Sequence, residues 1–417
     1  MRGKGFQGKN SPEYLVKREE NKKMKRKIVW SIIGLISLAI IVGGDVTASQ
    51  KRKQEEEVYK NIELFLDAMK IVENQYVEPV ENKKLVYGAL KGMLGSLDPY
   101  SAFLEPELTQ ELQIETKGEF HGVGMEITSK DGVITVVSPI EDTPAWKAGI
   151  KAGDRIIEID GESTKGLTTL EAARKLRGKK GTEVTISILR EGATELKKIT
   201  LVRDVIKVKS IKEEVLDNNL GYIRIRDFQE RTSSDLARAL ENLNKKNVKG
   251  LILDLRNNPG GLLSSAVEVS EFFVPKGKLI VYIQGREAKD KSTFNSRKEP
   301  IWKKPVVLLI NEGSASASEI VVGALKDNIP GTIAVGMKTF GKGSVQNLVP
   351  LSDGSSLKLT TAHYYTPSGV CIEGKGIEPD ITVQLPENGA IIPMGKDDTQ
   401  FQKALELLKN KVVEENG

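Results

Sequence analysis

NEGSASASEIVVGAL, residues 311–325, decides the fold of this 417-residue chain. Immediately before it runs PVVLLI, residues 305–310, an uninterrupted apolar segment of buried-strand length, and after it apolar residues recur at helical spacing. A strand therefore passes through a turn of small residues into a helix. Such a turn projects a side chain at the helix N-terminus, where unpaired backbone N–H groups and the helix dipole stabilise developing negative charge. Ser316 and Glu319 stand at the S-x-x-E spacing of a capping box, and taken alone that pair does no more than start a helix. A hydroxyl acting as a nucleophile also needs a base. The chain has two histidines, His121 and His363, and neither lies near a second serine-turn signature. Lysine is the other candidate.

Lys342 closes GMKTFGK, residues 336–342, which fits the G-x-x-x-x-G-K spacing of a phosphate-binding loop. Two features argue against nucleotide binding. Gly343 occupies the place of the magnesium-binding Ser or Thr, and the SVQNLVPL and DGSSLKLTTAHYY that follow alternate like strands instead of opening a helix. Glycines on both sides of Lys342 instead let the backbone come close to another segment.

Seven stretches, in order, then carry a resemblance: LDPYSAFL (97–104), GVGMEI (122–127), DLRNNPGG (254–261), NEGSASASE (311–319), FGKGSVQ (340–346), YYTPSG (364–369) and GKGIEPDI (374–381). The chain resembles the C-terminal processing, or tail-specific, proteases, serine peptidases that use a Ser-Lys pair and carry a PDZ domain. The resemblance implies Ser316 as nucleophile, Lys342 as general base and Gln346 as the residue that orients the lysine. Ser314 and Ser318 become turn and helix residues. The N–H groups of Ala317 and of the Gly260-Gly261 turn would form an oxyanion hole, with the choice between the two glycines left open. A free lysine, with a pKa of about 10.4, is neutral in only about four parts in ten thousand at pH 7, a gap of about 3.4 units or ~4.6 kcal/mol. Desolvation closes such a gap, so the site is expected to be tight and mostly apolar around the amine, with bound substrate completing the effect.

The rest of the chain fits that frame. The net charge of +5 is concentrated at the N-terminus, which is no footprint for nucleic acid. A lone cysteine, Cys371, excludes an intrachain disulfide, and with two histidines it leaves no zinc spacing; neither a metal site nor a cofactor is expected. Residues 1–27 are basic and end in KKMKRK, and residues 28–44, IVWSIIGLISLAIIVGG, carry no charge. As a helix this run spans about 25 Å, near the lower limit for a hydrocarbon core of about 30 Å. The basic flank places residues 1–27 in the cytoplasm and the remainder outside. A cleavable signal peptide ending at Val46-Thr47-Ala48 competes with an anchor over residues 28–46; the long basic segment favours the anchor.

Residues 47–116 read as a helical arm, with Ile62, Phe65, Leu66, Met69 and Val72 along one face and Pro79 separating two helices. Such a stripe is expected to pack as ordinary core, and the resemblance adds a possible role in a homodimer. Residues 117–203 alternate short strands with glycine turns and resemble a PDZ domain. Its loop Gly122-Val123-Gly124 would capture a peptide C-terminus while the peptide adds a strand to the sheet edge, and Arg177 would pair with a carboxylate or with the protease domain. Residues 204–385 alternate strands and helices, an α/β layer pattern that the resemblance makes a crotonase-like ββα protease core. Residues 386–417 form a tail with an amphipathic helix. The expected architecture is α+β and multidomain. The expected activity is that of a membrane-anchored, extracytoplasmic serine endopeptidase acting on proteins with free C-termini; the alternative is a catalytically silent PDZ scaffold that binds protein tails.

Overall fold

The computed structural model describes residues 48–130, 132–140, 142–384 and 393–416. The expected membrane span, residues 28–46, lies outside them, and among the described residues no helix is long and apolar enough to cross a membrane. The chain divides into two compact units, residues 1–93 and 94–417.

In the first unit the helix Ala48–Gln75 ends ahead of Pro79, and a second helix begins at Asn82. The apolar stripe of the first helix does not pack as core. Phe65, Leu66 and Val72 are exposed, and so are Leu64 and Ile71 beside them. Helical periodicity specifies a face but not what covers it.

The second unit begins with the turn after the helix Asn82–Gly95, the strand Ala102–Leu104 and the helix Pro106–Lys117. The strand Ala102–Leu104 pairs antiparallel with Ser356–Tyr365, so this part of the expected arm is built into the same sheet as the segment following Lys342. A small β-domain follows. Met125–Lys130, Val133–Pro139, Arg155–Ile159, Glu183–Leu189 and Lys197–Val202 form one sheet in that order, closed over a core that includes Ile134, Ile156, Ile186 and Ile188. Met125–Lys130 is an edge strand, and the helix Thr169–Leu176, capped by the reciprocal Thr168–Glu171 pair, packs near it.

Six strands form the central sheet: Ile211–Leu216, Leu220–Ile225, Gly250–Asp254, Val306–Ile310, Ile333–Gly336 and Ile381–Thr382. The first pair is antiparallel and the others are parallel. Its middle strands, Gly250–Asp254 and Val306–Ile310, are buried along their whole length because both faces are covered, and all but Gly250 and Asp254 of their residues are aliphatic. Leu251, Leu253, Val306 and Leu308 face the helices Thr232–Lys245, Leu263–Glu271 and Ala317–Asn328, whereas Ile252, Val307 and Leu309 face the C-terminal helix Thr399–Asn416 through Phe401, Ala404 and Leu408. This is the two-residue period of a strand read onto two helical layers. Burying Phe401 or Leu408 contributes about 1.5–3 kcal/mol each. The tail helix is therefore the layer that covers the second face of the central sheet. Arg256, just after the strand Gly250–Asp254, fastens it by bonding both Asp254 and Asp398.

Candidate active site

The strand Val306–Ile310 runs through a tight turn into the helix Ala317–Asn328, and Ser316 stands at the junction with φ 55° and ψ −115°. A non-glycine residue held there costs about 1–3 kcal/mol and persists only when its surroundings impose it. They do so through the neighbouring serines. Ser314 Oγ donates to the Leu255 carbonyl at 2.8 Å, and Ser318 Oγ donates to the Asn258 carbonyl at 3.0 Å. Both fasten the turn to the segment that follows the central strand. Among the described hydrogen bonds Ser316 alone of the three makes no side-chain bond to a carbonyl, and its neighbour is the Tyr364 phenol. Burial pushes that phenol up to about 12. Ala317 N–H opens the helix, and among the described hydrogen bonds it has no protein acceptor.

Glu319 does more than cap the helix. It is fully buried, and its Oε2 accepts from the Ser316 N–H at 2.8 Å and from the Lys342 N–H at 2.9 Å. Its Oε1 accepts from Thr339 Oγ1 at 2.5 Å and from the Gly341 N–H at 2.8 Å. One carboxylate oxygen thus holds the serine turn and the lysine segment side by side. The glycines flanking Lys342 explain how the segment fits: a Cβ at Gly343 would fall 2.1 Å from the Glu373 nitrogen, and one at Gly341 would fall 2.9 Å from the Gly376 nitrogen. After Lys342 comes the strand Ser344–Pro350, not a helix, as expected from the sequence against a phosphate loop.

Lys342 is half-buried, and its Nζ lies 5.0 Å from the centroid of the Tyr100 ring. Burial pushes its amine below the ordinary lysine value; Lys358 adds to that, and Glu373 and Glu319 oppose it. Gln346 does not reach the lysine amine. Its Nε2 donates to Ser344 Oγ at 2.8 Å and to Thr360 Oγ1 at 3.3 Å, and among the described residues Lys342 Nζ makes no hydrogen bond. A β-bulge between Val345 and Gln346 shifts the register of their strand against Ser356–Tyr365 and points the amide at its neighbours there.

The Gly260-Gly261 turn lies against the serine. A Cβ at Gly260 would meet the Ser316 Cβ and the Ala315 carbonyl oxygen, both at 2.8 Å. Both glycines have positive φ, 104° and 140°. The Gly260 N–H donates to Asn258 Oδ1 at 2.9 Å, whereas the Gly261 N–H has no acceptor among the described hydrogen bonds.

In the β-domain, Gly122, Val123 and Gly124 lead into the edge strand Met125–Lys130, and the carbonyls of Val123 and Gly124 are pinned by the N–H groups of Ala145 and Ile140. Gly124 has φ 78°, and a Cβ there would strike Thr143. An open strand edge beside a helix is the geometry that accepts an added peptide strand. Arg177 ends that helix and pairs with a carboxylate, that of Glu111 in the helix Pro106–Lys117, while its guanidinium lies 5.2 Å from the Phe120 ring centroid. His363 is exposed and 3.9 Å from Glu373, and Cys371 is half-buried in a bridge to Tyr365.

Tyr100, Tyr364 and Lys358 border the site without having been singled out in the sequence. For Tyr100 and Tyr364 a signal was present, since LDPYS and YYTPSG are among the matching stretches.

The sequence pattern of Peptidase family S41 matches residues 219–383, that of a PDZ domain residues 135–190, and that of the activating protease CtpB N-terminal domain residues 42–108. The chain is 44% identical over 428 aligned positions to a carboxy-terminal-processing protease of Bartonella bacilliformis, covering 94% of this chain and 97% of that protein. It is 38% identical to the carboxy-terminal processing protease CtpA of Bacillus subtilis, covering 90% and 81% respectively. A solved photosystem II D1 C-terminal processing protease is similar at 30% identity and a TM-score of 0.48, covering 83% of this chain and 98% of that one.

Proposed function

The chain belongs to the carboxy-terminal processing proteases of peptidase family S41, serine-type proteases with a PDZ domain, and from that membership we propose that it cleaves proteins near their C-termini by a Ser-Lys acyl-enzyme mechanism. One observation carries the reading: a single buried oxygen of Glu319 takes the backbone N–H groups of both Ser316 and Lys342. The nucleophile and its base come from segments of different elements, and this carboxylate keeps them adjacent. Ser316 Oγ attacks the scissile carbonyl carbon and passes its proton to the neutral Lys342 amine. The lysine then protonates the leaving amine and activates the water that releases the acyl group.

The oxyanion is received by the N–H of Ala317 and, of the two glycines, by that of Gly261, because Gly260 already donates to Asn258. Gln346 orients Lys342 only once the amine leaves Tyr100. The loop Gly122-Val123-Gly124 and the strand edge after it take the substrate tail, with Arg177 coupling that loop to Glu111. The core is of the crotonase-like ββα type. Residues 28–46 anchor the chain and leave the protease outside the cytoplasm, a reading supported by the uncharged run after KKMKRK; a mature N-terminus near Ser49 in mass spectrometry would remove it. The exposed apolar stripe of Phe65, Leu66 and Val72 supports a homodimer, which a monomeric mass in solution would exclude.

The deciding experiment is Ser316→Ala, followed by intact-mass analysis of an unfolded protein with an apolar C-terminus. Cleavage is abolished, while binding of a tail peptide to the same variant is kept. Turnover equal to that of the wild type would refute the assignment.

A further inference from the structure

The stretch LDPYS supplies none of the reacting groups named above, yet the structure brings its tyrosine onto the base. Asp98 shapes the turn: its Oδ1 accepts the N–H groups of Tyr100 and Ser101, each at 2.7 Å, and its Oδ2 accepts Ser101 Oγ at 2.7 Å. Ser101 Oγ in turn accepts the Thr360 N–H at 3.1 Å, and Ala102 stands opposite Lys358 in the sheet. The turn is therefore fixed to the strand Ser356–Tyr365, and Tyr100 presents its ring to Lys342 Nζ at 5.0 Å from the centroid.

We propose that Tyr100 is a positioning residue of the general base, its ring face seating the Lys342 side chain between catalytic encounters. Other neighbours do not supply that seat. Among the described residues Lys342 Nζ makes no hydrogen bond, and the nearby Glu319 carboxylate is already taken by four donors. Charged groups act on the amine from each element around it: Lys358 from the adjacent strand repels it, and Glu373 and Glu319 attract it. The electron-rich face of an aromatic ring favours an ammonium over a neutral amine. Tyr100 thus opposes burial and Lys358, and it holds the amine on its ring face, without a hydrogen bond to Ser316, until substrate displaces it. The phenol itself is not the base: burial, reinforced by Glu373, Glu319 and Asp98, pushes it above the ordinary tyrosine value, so it keeps its proton through the working range.

This inference rests on the Ser-Lys reading, and its test separates the two. The full chain is compared as wild type, Tyr100→Phe, Tyr100→Trp and Tyr100→Leu. The readouts are the pH dependence of kcat/KM on a fluorogenic peptide with an apolar C-terminus and the carbon-13 titration of Lys342 in lysine-labelled protein, assigned with Lys342→Arg. Removing the ring in Tyr100→Leu shifts both titrations down by about 0.4–1.5 pH units, the equivalent of one cation–π contact. Tyr100→Phe keeps the ring and leaves the titration in place, and Tyr100→Trp moves it upward. If Tyr100→Leu fails to fold, the direction of the Trp shift decides. A uniform fall in turnover at every pH, with the Lys342 titration unmoved in the Leu and Trp variants, would overturn the seat and leave Tyr100 a structural residue. Turnover surviving in Ser316→Ala would instead sink the Ser-Lys reading, whatever Tyr100 does.

Discussion

Replacing Glu319 separates a helix cap from a residue that holds the site together. Its carboxylate is fully buried and accepts three backbone N–H groups, of Ser316, Gly341 and Lys342, together with the Thr339 hydroxyl. In Glu319→Ala the hydroxyl can turn elsewhere but the three N–H groups cannot. At about 1–3 kcal/mol for each buried donor left unpaired, the loss of stability is roughly 3–9 kcal/mol. Glu319→Gln has one workable orientation. Its oxygen faces the Ser316 and Lys342 N–H groups, its NH2 donates to Thr339 Oγ1, and only Gly341 is orphaned, at a cost of about 1–3 kcal/mol. Part of that cost is offset, because burial outweighs the four donors and pushes the Glu319 carboxyl above its ordinary value, and a neutral amide carries no charge to desolvate. Urea unfolding gives the stabilities, and pre-steady-state acylation gives the effect on chemistry. The Gln variant should stay folded with kcat reduced more than KM is raised, since the shared oxygen is kept but the lysine segment is loosened at Gly341. An Ala variant as stable and as active as the wild type would refute the idea that this carboxylate aligns the two segments.

Two further outcomes follow from the electrostatics. Lys358 helps keep the Lys342 amine below its ordinary value, so Lys358→Gln should let that value rise and move the acid limb of the kcat/KM profile to higher pH, while Lys358→Arg leaves it in place. Arg256→Met strands the carboxylates of Asp254 and Asp398 without their cation and should destabilise the protein by about 3–5 kcal/mol in thermal or urea unfolding. Burial alone would raise the Asp398 carboxyl, but hydrogen bonds and charge from Arg256 hold it below the ordinary value. Its contribution to stability is therefore present above the unfolded carboxylate pKa and lost as pH falls through the depressed native one. An Arg256→Met protein whose acid unfolding matched the wild type would contradict that sign.

Local sequence was enough for the elements around the site. PVVLLI before the serine turn and helical spacing after it specify a strand-turn-helix junction, because side-chain periodicity and small turn residues act over a few positions. The glycines around Lys342 announced a close approach for the same reason, and the structure supplies the segment approached, Glu373 to Gly376. Long-range partners were not legible. The serines of GSASAS look alike in sequence; Ser314 and Ser318 are spent on carbonyls 59 and 60 residues away, which leaves the middle one for Tyr364. Periodicity likewise picked out the apolar face of Phe65, Leu66 and Val72 but could not say that it is exposed. Gln346 shares a strand segment with the lysine, yet a bulge in the register turns it to Ser344 and Thr360.

The amino-acid order by itself determined where strands end, where helices start and which residue types are available for acyl transfer. Only the tertiary structure decided that Glu319 bridges serine and lysine and that Tyr100 lies under the amine. Those contacts join residues that neither periodicity nor spacing relates, and they arise when the sheet pairing of Ala102–Leu104 with Ser356–Tyr365 and the packing of the helix Ala317–Asn328 bring distant segments within a few ångströms.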